Sequence, residues 1–212
     1  MTDPSARRII GLYDDKAGAW IDQRQALATD GPGVSEAVWL DRFMARLPAG
    51  GSVLDVGCGS GRPVAEALLS RGFRVTGIDS SPALIAHARA TLPAGEWLVG
   101  DMRTLDLKRR FDGVLAWYSL FHLSQDDQRA ALPRLLAHGA DEAVVMVPTG
   151  PQDGEAIGAW QGEPLYHASL SPEGYRELFE GAGYRTEPFD PGDFEGVNGL
   201  VWIARRAIVS AE

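Results

Sequence analysis

Apolar residues recur along this chain with two alternating periods. Val38, Leu40, Phe43, Met44 and Leu47 are spaced for an amphipathic helix over 34–47, closed by Pro48 and the glycines Gly50 and Gly51. Ahead of it, residues 5–30 read as a helical region that ends at the breaker Asp30-Gly31-Pro32-Gly33. From Ser52 short β-branched runs alternate with helix-period stretches. SVLDVG, FRVTGI, EWLV, FDGVLAWY and Glu142–Val147 are predicted as five strands. Helices over 62–71, from Pro82, over 125–138 and from Pro172 fall between or after them. Ser81, Ser124 and Ser171 are their expected N-caps. YRTEPF and NGLVWIARRA read as two closing strands. Such alternation predicts an α/β fold, a doubly wound and mostly parallel sheet with helices on both faces. Ligands of such sheets bind beyond the carboxyl ends of the strands, where strand order reverses.

Composition narrows the picture without changing it. The chain has 212 residues, 45% hydrophobic and 23% charged, as expected of one globular α/β domain. No apolar run approaches the roughly 20 residues of a membrane span, and the N-terminal stretch has charges where a signal peptide needs apolar residues, so a cytoplasmic protein is the default expectation. The formal net charge of −9 disfavours nucleic acid and anionic membranes as partners. One cysteine excludes an internal disulfide framework, and four dispersed histidines do not suggest a metal site.

Four features coincide at the predicted strand ends. The turn after the first strand is Asp55-Val56-Gly57-Cys58-Gly59-Ser60-Gly61. Glycines there let a ligand lie against the backbone, and exposed N–H groups would favour an electron-rich ligand group; a plain tight turn is the competing reading. A dinucleotide fingerprint needs its third glycine at 62, which is Arg62, and a pyrophosphate gains nothing from the adjoining carboxylate of Asp55. A ligand with an ammonium group and a sulfonium would. Asp79, with Ser80 beside it, ends the second strand and is placed to accept from ribose hydroxyls. Asp101 and Met102 follow the third strand, an acceptor for an adenine amine and a soft apolar face for its ring. Trp117 and Tyr118 end the fourth, serving either ligand contact or core packing.

VLDVGCGSG, VTGIDSS, GDMRTLDL and FDGVLAWYSLFHL, in that order, resemble the class I S-adenosylmethionine-dependent methyltransferases. The resemblance implies a Rossmann-like sheet that closes with an antiparallel C-terminal strand. It implies S-adenosylmethionine as cofactor, with S-adenosylhomocysteine as product, and in-line methyl transfer to a small molecule. It divides one domain, 1–212, into an N-terminal helical cap (1–48), a cofactor-binding core (49–148), a substrate-side excursion (149–170) and closing helix and strands (171–212). Asp55, Gly57, Cys58, Gly59, Gly61, Asp79, Ser80, Asp101, Met102 and Trp117 are its expected cofactor residues, with Trp20 and Arg24 added from the cap. Those two form an i, i+4 pair, Arg24 either clamping the cofactor carboxylate or packing as a solvated side chain on Trp20. His122 is the candidate general base, unless it is a core histidine; Tyr118, Tyr166 and His167 are substrate-side candidates that loop packing would equally explain. His87 and His138 are expected at the surface. A protein that binds the cofactor without catalysis, and a nicotinamide-dependent oxidoreductase, are the competing functions. Association as a monomer or a homodimer stays open.

Overall fold

The computed structural model describes residues 4–29, 34–187 and 199–207. Three helices lead the chain: α1 (Pro4–Asp15), α2 (Ala17–Thr29) and α3 (Val34–Met44). The single helical region expected over 5–30 is two helices broken at Lys16, and the breaker at 30–33 lies outside the described residues. There follow β1 (Ser52–Val56), α4 (Val64–Ser70), β2 (Arg74–Asp79), α5 (Pro82–Thr91), β3 (Glu96–Val99) and β4 (Phe111–Leu115). The chain continues through α6 (Gln125–Ala137), β5 (Gly139–Thr149), β6 (Gly154–Trp160), β7 (Glu163–Ser169), α7 (Pro172–Gly181), β8 (Tyr184–Thr186) and β9 (Leu200–Arg206). Among the described residues, no helix is long and apolar enough to cross a membrane.

The main sheet has the order β3-β2-β1-β4-β5-β9-β8. β1 to β5 pair in parallel, whereas β9 runs antiparallel to both β5 and β8. Strand order reverses between β1 and β4, so their carboxyl ends form a crevice. Side chains alternate across β1 and fill a core on each face. Val53 joins Phe43, Leu68 and Ile85 on one side, and Leu54 joins Leu132, Leu135 and Phe179 on the other.

The three predicted serine caps are present. Ser81, Ser124 and Ser171 accept from the backbone N–H of Leu84, Asp127 and Gly174. β5 begins three residues earlier than its apolar run, because it pairs with β4 from Gly139 and carries Glu142 at φ 63° in an irregular stretch. His138 is buried, contrary to its expected surface position. Its Nε2 accepts from Leu107 N and its Nδ1 faces Arg134 O.

The excursion over 149–170 is largely a two-stranded hairpin. β6 and β7 turn through Gln161 (φ 52°) and Gly162 (φ 80°), the pair of positive angles that a two-residue type I′ turn requires. β7 is seated under α1, where Tyr166 and Ala168 pack on Ile9. Gln128, fully buried on α6, fixes its end by donating to the carbonyls of Leu123 and Ala168 while accepting from the Tyr175 hydroxyl. Gln128→Leu deprives the Leu123 and Ala168 carbonyls of these donors and the Tyr175 hydroxyl of its acceptor at once. It should cost about 3 kcal/mol of unfolding free energy, measured by denaturant titration.

Candidate active site

The residues singled out at the strand ends converge on two joined cavities above the β1/β4 crevice. The first runs across the tips of β1, β2 and β3 and is lined by Gly57, Gly59, Asp79, Ser80, Asp101 and Met102. The second lies beside it and is lined by Asp55, Cys58, Arg24, Trp117, Phe121 and His167. Tyr13, Trp20, Gly57, Gly59, Tyr118 and His122 border both.

The glycine turn is built for close approach. Gly57 sits at φ 75°, and a Cβ there would lie 2.3 Å from Ser119 Cβ, whose hydroxyl donates to Val56 O. Gly59, at φ 55°, has Trp20 Nε1 3.0 Å from where its Cβ would stand. Both positions therefore demand glycine for conformation and for space. One expectation fails here. The N–H groups of Gly57 and Cys58 both donate to Ile78 O, that of Gly59 to Asp79 Oδ2 and that of Gly61 to Cys58 O. The turn thus offers room, with four of its amides already engaged, and Pro63 ahead of α4 adds no N–H.

What the site does offer is negative charge. Asp55 is 2% exposed, and its Oδ2 has no hydrogen-bond partner. Burial, with the Asp79 charge next and Glu36 adding to it against the opposing Arg24, carries its carboxyl up to about 7. Asp79 accepts from Gly59 N through Oδ2 and from Ser81 N through Oδ1, both at 2.9 Å. Burial nevertheless holds it above its ordinary value despite these bonds. Each of its oxygens keeps a second lone pair for a ligand hydroxyl. Asp101 caps the short 3₁₀ turn 102–104 and grips Arg103 through both oxygens. Burial pushes Asp101 up, but the Arg103 bonds outweigh it and leave the carboxyl below its usual range. Buried cationic ligand groups would relieve Asp55 and Asp79, whereas anions would aggravate them.

Arg24 stacks over Trp20 at 5.3 Å and contacts Glu36 Oε1 at 3.4 Å, and its buried Nε is without a partner. Glu36 also accepts from Trp117 Nε1 at 2.7 Å, which holds that buried ring in place. Cys58 is half-buried; burial first, then Asp55 and Asp79, keep its thiol protonated and unreactive.

His122 ends a 3₁₀ turn over 120–122 and is buried between two partners. Its Nδ1 lies 2.9 Å from Tyr166 O, which can only accept, so Nδ1 carries the proton. Nε2 then accepts from the Tyr13 hydroxyl, also at 2.9 Å. Burial lowers His122 to about 4 and holds the Tyr13 phenol well above its ordinary value, so both are neutral at physiological pH. Tyr13 further contacts Trp20, His122 and Trp160 at ring centroids 5.3–5.4 Å apart. Tyr118 adopts φ 50°, strained for a non-glycine residue, at the junction of the cavities. His167 joins the lining, but Tyr166 corrects its expectation. Its side chain is fully buried against α1 and lines neither cavity; only its carbonyl serves the site.

Sequence reasoning missed Tyr13, Glu36, Ser119 and Phe121. Tyr13 alone had a signal, sharing the apolar i, i+3/i+4 stripe of Ile9 and Ile10 on α1.

Residues 53–139 match the family model described as methyltransferase domain. Trans-aconitate 2-methyltransferase of Escherichia fergusonii is 38% identical over 98 residues, 45% of this chain and 37% of that protein. The dTDP-3-amino-3,6-dideoxy-alpha-D-glucopyranose N,N-dimethyltransferase of Streptomyces fradiae is 38% identical over 102 residues, 47% of this chain and 40% of that one. The chain thus spans about two fifths of the length of these curated relatives. Among solved structures, 1,6-didemethyltoxoflavin-N1-methyltransferase of Burkholderia thailandensis, with bound 1,6-didemethyltoxoflavin and S-adenosylhomocysteine, matches with a TM-score of 0.70 at 22% identity. That match covers 98% of this chain and 92% of the other. Residues 53–139 are thus similar to methyltransferase domains, and the chain shares the fold of the solved methyltransferase structure it matches.

Proposed function

We propose that this chain transfers the methyl group of S-adenosylmethionine to a small molecule. One observation carries the reading. The crevice holds the buried carboxylate of Asp55, one oxygen of which has no partner among the described residues, with Asp79 beside it and a glycine turn whose amides at Gly57, Cys58, Gly59 and Gly61 are already engaged. A nucleoside bearing positive charge fits such a site, and a nicotinamide dinucleotide with its pyrophosphate does not.

In this reading Asp79 takes the ribose hydroxyls and Asp101, with Met102, the adenine. Asp55 faces the ammonium group, and Arg24 the carboxylate. Ser80, Cys58, Gly57, Gly59, Trp20 and Trp117 shape the surrounding surface, whereas Gly61 lines neither cavity and instead packs closely on Leu92 and Trp97. Residues 1–48 act as the cap, since Ile9, Ile10 and Tyr13 of α1 and Trp20 of α2 already border the cavities. Asp14 straps that cap to the start of α5 by accepting from Ser81 Oγ and Ala83 N. Residues 149–170 form the acceptor side, with Tyr118 and His167 at its entrance.

Held by Asp79, Asp101 and Asp55, S-adenosylmethionine would supply an electrophilic methyl group for transfer to the acceptor. The chain's part is to orient both partners and to exclude water. Where the acceptor must lose a proton, the Tyr13 oxygen takes it as the Tyr13 proton moves to His122 Nε2. The Tyr166 carbonyl fixes the histidine tautomer that makes this possible. The acceptors named for the two curated relatives, trans-aconitate and a dTDP-amino sugar, differ in shape and charge. The acceptor class is therefore a property of this chain's own groove.

Three outcomes test the reading. Calorimetry should show S-adenosylhomocysteine binding that Asp79→Ala weakens at least tenfold, about 1.4 kcal/mol or more; absence of heat with the parent protein refutes the cofactor assignment. The folded-state value of Asp55 is raised from 3.8 to about 7, so the stability it confers is full below the lower value and lost as pH rises through the higher one. Asp55→Asn should consequently raise the melting temperature of the free chain near pH 8 while weakening S-adenosylhomocysteine. The parent's own affinity should fall between about pH 8 and pH 6 as Asp55 takes up a proton. Finally, with an acceptor that must be deprotonated, His122→Ala should lower kcat roughly 10- to 100-fold and leave S-adenosylhomocysteine affinity within about twofold. An unchanged kcat would make the Tyr13–His122 pair purely structural.

A further inference from the structure

The acceptor side carries its own selectivity, an inference that rests on the methyl-transfer reading above. Beyond the second cavity, past Tyr118, Phe121 and His167, a groove opens between the end of β5 and the β6–β7 hairpin. Its inner wall is aromatic. The ring of Phe121 lies 5.9 Å from that of Tyr118 and 5.3 Å from that of His167, the latter at 35°. Its outer wall carries two exposed carboxylates, Asp153 and Glu155, at the start of the hairpin.

Neither acid is neutralised. Asp153 accepts one hydrogen bond from the Gln125 amide, and neither residue forms an ion pair among the described residues. Every Lys and Arg of the chain lies within the described residues, yet none lines this groove. His167 adds no charge at neutral pH, because burial holds it below its ordinary value. A carboxylate or phosphate entering here would meet two like charges with no counter-charge. A planar ring would instead find stacking partners, and a basic group on that ring would find two opposite charges and an electron-rich aromatic face.

We propose that the methyl acceptor is an aromatic-ring compound with a basic group remote from the methylated atom, its ring against Phe121 and His167 and its cation facing Asp153 and Glu155. Acceptors with an anionic group at that end are rejected.

Isosteric probes separate the two charges. Tyramine and 4-hydroxyphenylacetate share a ring, as do tryptamine and indole-3-acetate, and each pair ends in an ammonium or a carboxylate. On the full chain saturated with S-adenosylhomocysteine, at low salt, ligand-observed NMR titration should show the ammonium member of each pair binding about tenfold more tightly. Glu155→Lys should reverse the order, and Glu155→Gln should shrink it about threefold. High salt should compress it as well. Unchanged heat with S-adenosylhomocysteine and an unchanged melting temperature show that each variant is folded. Equal binding within the pairs, a preference for the carboxylates, no binding of either amine, or a preference untouched by both variants overturns the proposal. Loss of S-adenosylhomocysteine heat in the parent would strike the cofactor assignment instead, so the two failures are distinguishable.

Discussion

Negative charge held out of water governs the carboxyl end of this sheet. Asp55 and Asp79 end adjacent parallel strands, and the β1–β2 register sets their carboxylates beside the same glycine turn. Asp79 is steadied by two backbone N–H groups, while Asp55 is left with an oxygen that nothing among the described residues satisfies. Such an arrangement is costly for the free protein, and folds keep it where a bound positive charge relieves it. Arg24 supplies part of that charge from α2, but it also faces Glu36, so acids still outnumber bases around the cavity. The N-terminal helices follow from the same requirement. A buried carboxylate stays desolvated only beneath a cover, and Tyr13, Asp14 and Trp20 are the points at which that cover meets the strand ends.

The parts of this arrangement that could be read from the chain are those encoded within a few residues. Caps such as Ser81-Pro82 and Ser171-Pro172 work through bonds to a backbone N–H three residues on, so their spelling is local. The same holds for Asp55 and the glycines after it, whose spacing alone separates the turn from a dinucleotide loop. The amides of that turn, by contrast, end on Ile78 and Asp79, about twenty residues away, and no local pattern announced it. His122 was legible as a candidate, but its partners Tyr13 and Tyr166 come from opposite directions along the chain. His138 was misjudged for a related reason. Besides Arg134 on its own helix, its ring is held by Leu107 N, thirty-one residues back along the chain.

The hairpin escaped for a different reason. β6, Gly154–Trp160, is exposed along nearly its whole length and has small residues where a half-buried strand would alternate apolar with polar. Apart from its last residue, Trp160, which stacks on Tyr13, β6 is exposed, and it is β7 that packs on α1, whose sequence lies some 150 residues away. Period-two patterning records burial on one face, so a strand with neither face buried leaves no such record.

That same exposure gives the molecule two tempos of change. Residues around the glycine turn are locked by collisions, since a single added methyl at Gly57 would strike Ser119. The outer hairpin strand touches so little that a substitution at Glu155 or Ile157 disturbs scarcely any packing. Mutation can wander across the outer wall of the groove while the floor beneath it stands still. New ligands of the groove are thus within reach of drift or of directed evolution, with the cavities at the strand ends inherited intact.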